Sequence, residues 1–451
     1  MKTKLLSGVV ALGLTACGGG VSPDDRVVPT AVEARITAQA LPTSQTEVVV
    51  MLRSDVTVQE VSTRYGATVV DRFGQRPIYR LSFPTVVATS NALSQMQRDP
   101  TIRFAERNYE SQAPEARQQL VWAVGGSEQV YGSQWVPEAI ALRQAHALST
   151  GSGVRVAVLD TGIDLTHPAL APRLAQAPGG GVLGYDFVDF DADPSEVGRT
   201  GDLGFGHGTH VAGLVALTAP NATLMPVRVL DQAGRGNAWV LAEALMWAID
   251  PDGNPATDDG ARVINLSLGT VRPTRLLDIA IELATCSDDD DNDGGIDYSD
   301  PGFAKDVERC NQLHGAVVMA AAGNSGSATE RQYPAAEAAE GQLAITASTA
   351  NQTLAAFSNS GPWVQLAAPG YRVVSTVPGG GYGTWSGTSM ATPIATGVAA
   401  LVLARNPDWK PVDVTKRLLD RSARLCDRTT LRALHAFGAV ADFVPADPIC
   451  R

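Results

Sequence analysis

The sequence predicts an α/β fold: a parallel sheet with helices on both faces, preceded by a small α+β domain. Three observations carry that reading. Short apolar runs rich in β-branched residues alternate with helical ones through 154–159, 207–217, 223–230, 239–249 and 262–268. Such alternation favours a parallel sheet, because each crossover lays a helix on one of its faces. Residues 47–107 read as strand 47–52, helix 58–65, strands 68–73 and 78–83, helix 91–98 and strand 102–107. That order, βαββαβ, is the ferredoxin-like arrangement. Finally, 451 residues exceed one typical domain, and about two to three units are expected.

The chain opens with Met1-Lys2-Thr3-Lys4 and an apolar run from Leu5 to Leu14, the layout of a secretory signal. The run is too short to span a bilayer. It ends in Leu14-Thr15-Ala16-Cys17, which resembles a bacterial lipobox. We therefore expect a lipoprotein signal peptide over 1–16 and a lipid on Cys17. Residues 17–46 are rich in Pro, Ala and Thr without a period and read as a tether. The 35 Lys and Arg against 47 Asp and Glu give a net charge of −12, which argues against nucleic acid as a partner.

The run 154–159 ends in Asp160-Thr161-Gly162, so a buried strand presents Asp160 at its carboxyl end, where sites form in open α/β sheets. Gly206-His207-Gly208-Thr209-His210 begins a helix of small residues. Its histidines lack the four-residue spacing and the glutamate of a zinc helix. Gly387-Thr388-Ser389-Met390-Ala391-Thr392-Pro393 puts Ser389 at the start of a helix expected over 388–404. A helix N-terminus offers unpaired N–H groups and a positive dipole end, which suits a nucleophile whose reaction develops a negative oxygen. Taken singly, the three motifs read as a turn aspartate, a capping histidine and a helix cap. Taken in order they supply acid, base and nucleophile.

These motifs resemble the subtilisin-like serine peptidases, or subtilases, from about residue 134 to 443. The resemblance implies a subtilisin-like fold and an exported serine endopeptidase that works through an acyl-enzyme. Ser389 would be the nucleophile and His207 its base, and Asp160 would orient His207 and stabilise the imidazolium. His210 is expected to pack rather than react. Asn324 would be the side-chain donor of the oxyanion hole, beside the Ser389 backbone N–H; losing such a donor costs about 10²–10³ in turnover. Ser267, Leu268 and Gly269 would pair with the main chain of an extended substrate. Ala321, Ala322 and Gly323 would wall the primary side-chain pocket, and their small size implies broad specificity.

The βαββαβ domain resembles the inhibitory propeptide of subtilases. We expect a propeptide over 47–110, a polar, irregular linker over 111–132 with the maturation cleavage, and a catalytic domain over 133–451. The expected partners are protein or peptide substrates, the chain's own propeptide as inhibitor, and a membrane through the lipid. A monomer without a catalytic cofactor is expected, released from the membrane after maturation unless the propeptide stays docked.

Residues 286–310 depart from the subtilase core. Asp289, Asp291 and Asp293 fall at positions one, three and five of an EF-hand-type loop, Asp297 at nine, and Asp300 at the last position in place of glutamate. Carboxylates so close repel one another unless a cation neutralises them. Structural calcium is expected here, with a solvated acidic loop as the alternative. Asp250, Asp252 and Asn254 form a weaker calcium candidate. The loop that carries the strong calcium site of familiar subtilisins has no room between 214 and 223, so their calcium dependence does not carry over. Beyond Cys17, the four cysteines Cys286, Cys310, Cys426 and Cys450 suggest disulfides in an exported protein. Of three connectivities, Cys286–Cys310 with Cys426–Cys450 is expected.

Overall fold

The computed structural model describes residues 45–118, 123–287, 299–427 and 430–447. The N-terminal domain has the expected element order. Its four strands lie antiparallel in the spatial order Thr68–Arg72, Ile78–Ser82, Glu47–Leu52, Ile102–Arg107. Along Glu47–Leu52 the side chains alternate between two cores, as the strand period of two requires. Val48, Val50 and Leu52 pack on Val61, Ala92 and Met96, whereas Val49 and Met51 enter the core shared with the following domain. The second helix runs Val86–Met96 rather than 91–98. Thr85 caps it by accepting the Ala88 N–H at 3.1 Å, a local bond that apolar spacing does not register.

The main sheet has nine strands in the order Ala423–Arg424, Arg432–Ala433, Leu366–Pro369, Gln342–Ser348, Val317–Ala321, Val263–Leu266, Arg155–Asp160, Thr223–Arg228, Tyr185–Asp186. Every pairing is parallel except the first. Both faces are covered. Val156, Val158, Val263, Val317 and Met319 face a core with helices His207–Thr218 and Thr388–Arg405. Ala157, Leu159, Ile264, Leu266 and Val318 face the other core with helices Ala238–Ile249 and Arg275–Thr285. Among the described residues one helix, Thr388–Arg405, has the length and apolar character to cross a membrane, and 89% of it is buried in this core.

The N-terminal domain docks on the second pair of helices. Phe73 meets Trp239 edge to face at 5.9 Å, and Arg76 forms an ion pair with Asp306 at 2.5 Å. Its last strand also completes helix ends. The Glu106 carboxylate accepts the N–H groups of Arg275 and Leu276 at 2.9 and 3.0 Å and the Thr274 hydroxyl at 2.7 Å. Thr274 makes no cap bond of its own, so Glu106 satisfies that helix from another domain. The Asn108 side-chain oxygen likewise accepts the Trp239 N–H at 3.1 Å.

The stretch expected to be an irregular linker is ordered where the fold gives it partners. Glu110–Gln112 is a strand, Pro114–Arg117 a helical turn, Ala123–Val124 a strand and Glu128–Ser133 a helix. Cys286 and Cys310 are bonded, with Cα atoms 5.5 Å apart. Cys426 is in a disulfide, and Cys450 lies outside the described residues. So do Asp289, Asp291, Asp293 and Asp297 of the acidic insertion, and Cys17. Asp300 caps the short turn Pro301–Phe303, accepting the Gly302 N–H at 2.9 Å.

Glu106→Ala should lower the stability of the full chain by about 1–2 kcal/mol, the usual worth of a helix cap. Denaturant unfolding measures this, and an unchanged midpoint would show that solvent caps the helix equally well.

Candidate active site

The sheet delivers Asp160, and a helix start delivers His207 to meet it. Asp160 ends its strand fully buried, and its Oδ1 accepts the Thr161 N–H at 2.8 Å and the His207 Nδ1–H at 2.6 Å. The His207 ring packs edge-on against Trp385 at 5.4 Å. Ser389 sits in the first turn of its own helix, buried. The Ser267 hydroxyl donates to the Ser389 carbonyl at 3.0 Å. That carbonyl is free for it because Pro393, four residues on, has no N–H to close the helical bond. Asn324 follows the strand Val317–Ala321, and its Oδ1 accepts the Thr388 N–H and hydroxyl, both at 2.9 Å. Those two bonds leave its Nδ2–H₂ aimed into the site.

The structure brings Asp160, His207, Ser389 and Asn324 into one locus, and it adds a residue that the motifs did not flag. Glu115, from the turn Pro114–Arg117, inserts its carboxylate among them and is fully buried. Its Oε2 accepts the Ser389 hydroxyl at 2.5 Å and pairs with His207 Nε2 at 3.0 Å. Its Oε1 accepts the Asn324 amide at 2.7 Å. Gly387 makes room for it: a Cβ there would lie 1.6 Å from Glu115 Oε1. The available signal was an acidic residue, right after a proline, in a linker expected to carry the maturation cleavage.

The segment before Glu115 lies in the cleft as an added strand. Glu110–Gln112 pairs antiparallel with Arg235–Asn237 on one side, and Gln112 exchanges both backbone bonds with Gly269 on the other, at 2.8 and 3.0 Å. Ala113 adds a bond to the Gly234 carbonyl at 3.1 Å. Pro114 has no N–H to continue the ladder and starts the helical turn instead. A side-chain carboxylate, not a peptide carbonyl, therefore reaches Ser389. Ala321 and Ala322 are fully buried, and the Asn359 amide donates to the Ala322 carbonyl at 2.9 Å. His210 is buried against Trp385 and bonds the Gly383 carbonyl at 3.2 Å, away from Ser389. Burial pushes its imidazole down to about 3, so it stays neutral.

The buried charges explain one another. Burial alone would raise the Glu115 carboxyl, but bonds from His207, Ser389 and Asn324 hold it below its usual range. Burial also disfavours charge on His207, but Asp160 and Glu115 outweigh it and push the imidazole up to about 10. With Glu115 in place, His207 is an imidazolium between two carboxylates. It has no lone pair with which to take a proton from Ser389.

Away from this locus, the carboxylates of Asp250, Asp252 and Asp259 converge, with one oxygen of each within 4.8 Å of the others. Between them, the Asn254 side-chain oxygen accepts the Ala256 N–H at 3.2 Å.

The subtilase family model matches residues 151–440, and a model of the fervidolysin N-terminal prodomain matches residues 39–108. A thermophilic serine proteinase of Bacillus sp. (strain AK1) is 34% identical over 378 residues, covering 80% of this chain and 78% of that protein. Subtilisin E of Bacillus subtilis (strain 168) is 30% identical over 85% of this chain and 87% of its own length. Subtilisin BL of Lederbergia lenta is 39% identical over 65% of this chain and 93% of its own.

In the full-length chain the His207 ring is expected to titrate near pH 10, and Glu115→Ala should bring it down by removing one of two flanking carboxylates. Proton NMR of the imidazole reads this directly. A titration that ignores the substitution would place Glu115 outside the site.

Proposed function

We propose, on the premise that this chain belongs to the subtilase family of serine peptidases and carries an N-terminal prodomain, that it is an exported endopeptidase acting through Asp160, His207 and Ser389 and held as a zymogen by its own linker. The observation that carries the reading is the convergence of Ser389 Oγ, His207 Nε2 and Asn324 Nδ2 on one carboxyl group. A carboxyl and a peptide carbonyl share a planar carbon bearing an oxygen. A scissile carbonyl at that spot has Ser389 Oγ at its carbon and Asn324 Nδ2 on its oxygen.

The reaction then follows from the groups present. Once Glu115 leaves, His207 loses one of the charges holding its proton and becomes a base. It takes the Ser389 proton as Oγ bonds to the carbonyl carbon, and Asp160 stabilises the imidazolium that forms. Asn324 donates to the developing oxyanion. His207 returns the proton to the leaving amine, and water repeats the sequence on the acyl-enzyme. The substrate main chain takes the strand position of Glu110–Gln112 between Gly269 and Arg235–Asn237, so Ser267, Leu268 and Gly269 read backbone rather than side chains. Ala321, Ala322 and Gly323 wall the side-chain pocket and favour broad specificity.

We assign residues 47–110 as propeptide, 111–132 as the segment cut during maturation and 133–451 as the catalytic domain. The Glu115–His207 pair gives this inhibition a pH dependence. Asp160 and then Glu115 raise His207, and only the Glu115 share belongs to docking, so a protonated His207 favours the docked linker and that favour is lost as pH rises through about 10. The lowered Glu115 value acts above 4.5 and is lost in acid. The docked linker is therefore favoured between these limits, and unlatching is favoured by alkaline pH through His207 and by acid through Glu115. Signal cleavage after residue 16 and a lipid on Cys17 would tie the precursor to a membrane, and maturation would free the catalytic domain once the propeptide leaves. Ser389→Ala should abolish casein cleavage, leave the chain uncut and keep the catalytic domain with the membrane fraction. A normally processed, soluble and active Ser389→Ala protein would sink the assignment.

Structural calcium completes the proposal. Asp250 and Asp259 each keep one buried carboxylate oxygen without a partner among the described residues, and both carboxyls are raised by burial and by Asp252. Three hard oxygen donors so placed fit a calcium ion. The acidic loop Asp289, Asp291, Asp293, Asp297 and Asp300 is a second proposed site. Calcium at a hundred times its dissociation constant should stabilise the fold by about 2.7 kcal/mol. Thermal unfolding with and without chelator measures it, and a response unchanged by Asp252→Asn would exclude the first cluster.

A further inference from the structure

We infer that Glu196 is a positioning residue that staples the strand end carrying Asp160 to the helix start carrying His207. The inference rests on the assignment of Asp160 and His207 above. Glu196 belongs to no motif and touches neither side chain. Its Oε1 accepts the hydroxyl of Thr161, the residue after Asp160, at 2.6 Å. Its Oε2 accepts both the N–H and the hydroxyl of Thr209, two residues after His207, at 3.1 and 2.8 Å. Thr161 closes the circuit by accepting the Gly208 N–H at 2.9 Å. One carboxylate thus holds the two segments whose separation sets the Asp160–His207 bond.

The need for such a staple lies at Asp160. Its Oδ2 is buried and has no partner among the described residues. Among the described residues, only the Thr161 N–H and His207 itself bond its carboxylate, both through Oδ1. The backbone on either side must then fix its direction. The loop that brings Glu196 is seated for this purpose: the Glu196 N–H bonds the Ile163 carbonyl at 3.0 Å, and the Ile163 N–H bonds the Pro194 carbonyl at 3.1 Å. Gly162 lies at φ +99°, and a Cβ there would stand 2.6 Å from the Ser195 carbonyl oxygen. Within Asp160-Thr161-Gly162, the threonine therefore bonds the staple and the glycine lets its loop approach.

A neutral side chain of the same shape can make the staple's hydrogen bonds. Burial raises the Glu196 carboxyl to about 7, so a neutral side chain suits the pocket. A glutamine can accept both Thr209 bonds with its carbonyl and donate its amide to the Thr161 oxygen.

The test uses the matured enzyme and a peptide anilide substrate. Glu196→Ala should lower kcat by about 10–100-fold with KM within about twofold, since misplacing a catalytic group slows chemistry more than binding. Glu196→Gln should recover most of the lost kcat. Thr161→Val, which deletes only the strand-side hydroxyl, should show the same kcat-selective loss even if the alanine variant folds poorly. The His207 Nδ1–H resonance should weaken in the alanine variant and return in the glutamine one. Wild-type kcat in Glu196→Ala, a loss confined to KM, or a glutamine variant as slow as alanine would each overturn the inference. Failure of the underlying assignment looks different: the wild-type enzyme would then neither cleave the substrate nor take up a fluorophosphonate on Ser389.

Discussion

The 2.6 Å bond between Asp160 and His207, buried out of water, is the constraint around which this molecule is arranged. A buried carboxylate and a buried imidazole are each costly alone, and together they persist only in good geometry. Two elements from different layers must supply that geometry. An interior strand of the sheet ends at Asp160, and the helix His207–Thr218 begins beside it, held from outside by Glu196. Neighbouring strands on a nine-stranded sheet, with a full core on each face, leave neither element free to drift.

Glu115 extends this pair into a line of alternating charge. The added carboxylate satisfies Ser389 and Asn324 while it holds the proton on His207. On the proposed reading, the precursor is restrained in two ways. The cleft is filled by a strand that imitates substrate, and the base is already protonated. Pro114 separates imitation from substrate, since the ladder stops where its N–H is missing and the chain turns before a peptide carbonyl can reach the serine. The N-terminal domain anchors this arrangement through Glu106, Asn108 and the Phe73–Trp239 contact. Inhibition and docking are thus one continuous interface, whose last residues lie in the site itself.

The three motifs meet in one locus but lie far apart in chain, and the same is true of what supports them. Pro393 frees the Ser389 carbonyl for Ser267, Gly387 opens space beside Asn324, and Gly162 admits the loop of Glu196. Small or N–H-less residues sit where an ordinary side chain or amide would obstruct a contact.

Much of this was legible in the chain itself. Continuous apolar runs rich in β-branched residues gave away the buried strands, the βαββαβ order identified the first domain, and Asp160, His207 and Ser389 stood out because their neighbours are glycines and threonines at element ends. Those signals are local, so sequence carries them. The helix starting at Val86 was misplaced because its cap, Thr85, competes with apolar spacing as the start signal. The linker read as irregular because its strand exists only between two cleft edges that lie more than a hundred residues away in the chain. No motif flagged Glu115 or Glu196, for the same reason. Each is an ordinary glutamate, one in a short helical turn and one in a loop, and only packing decides that one carboxylate enters the site while the other clamps its frame.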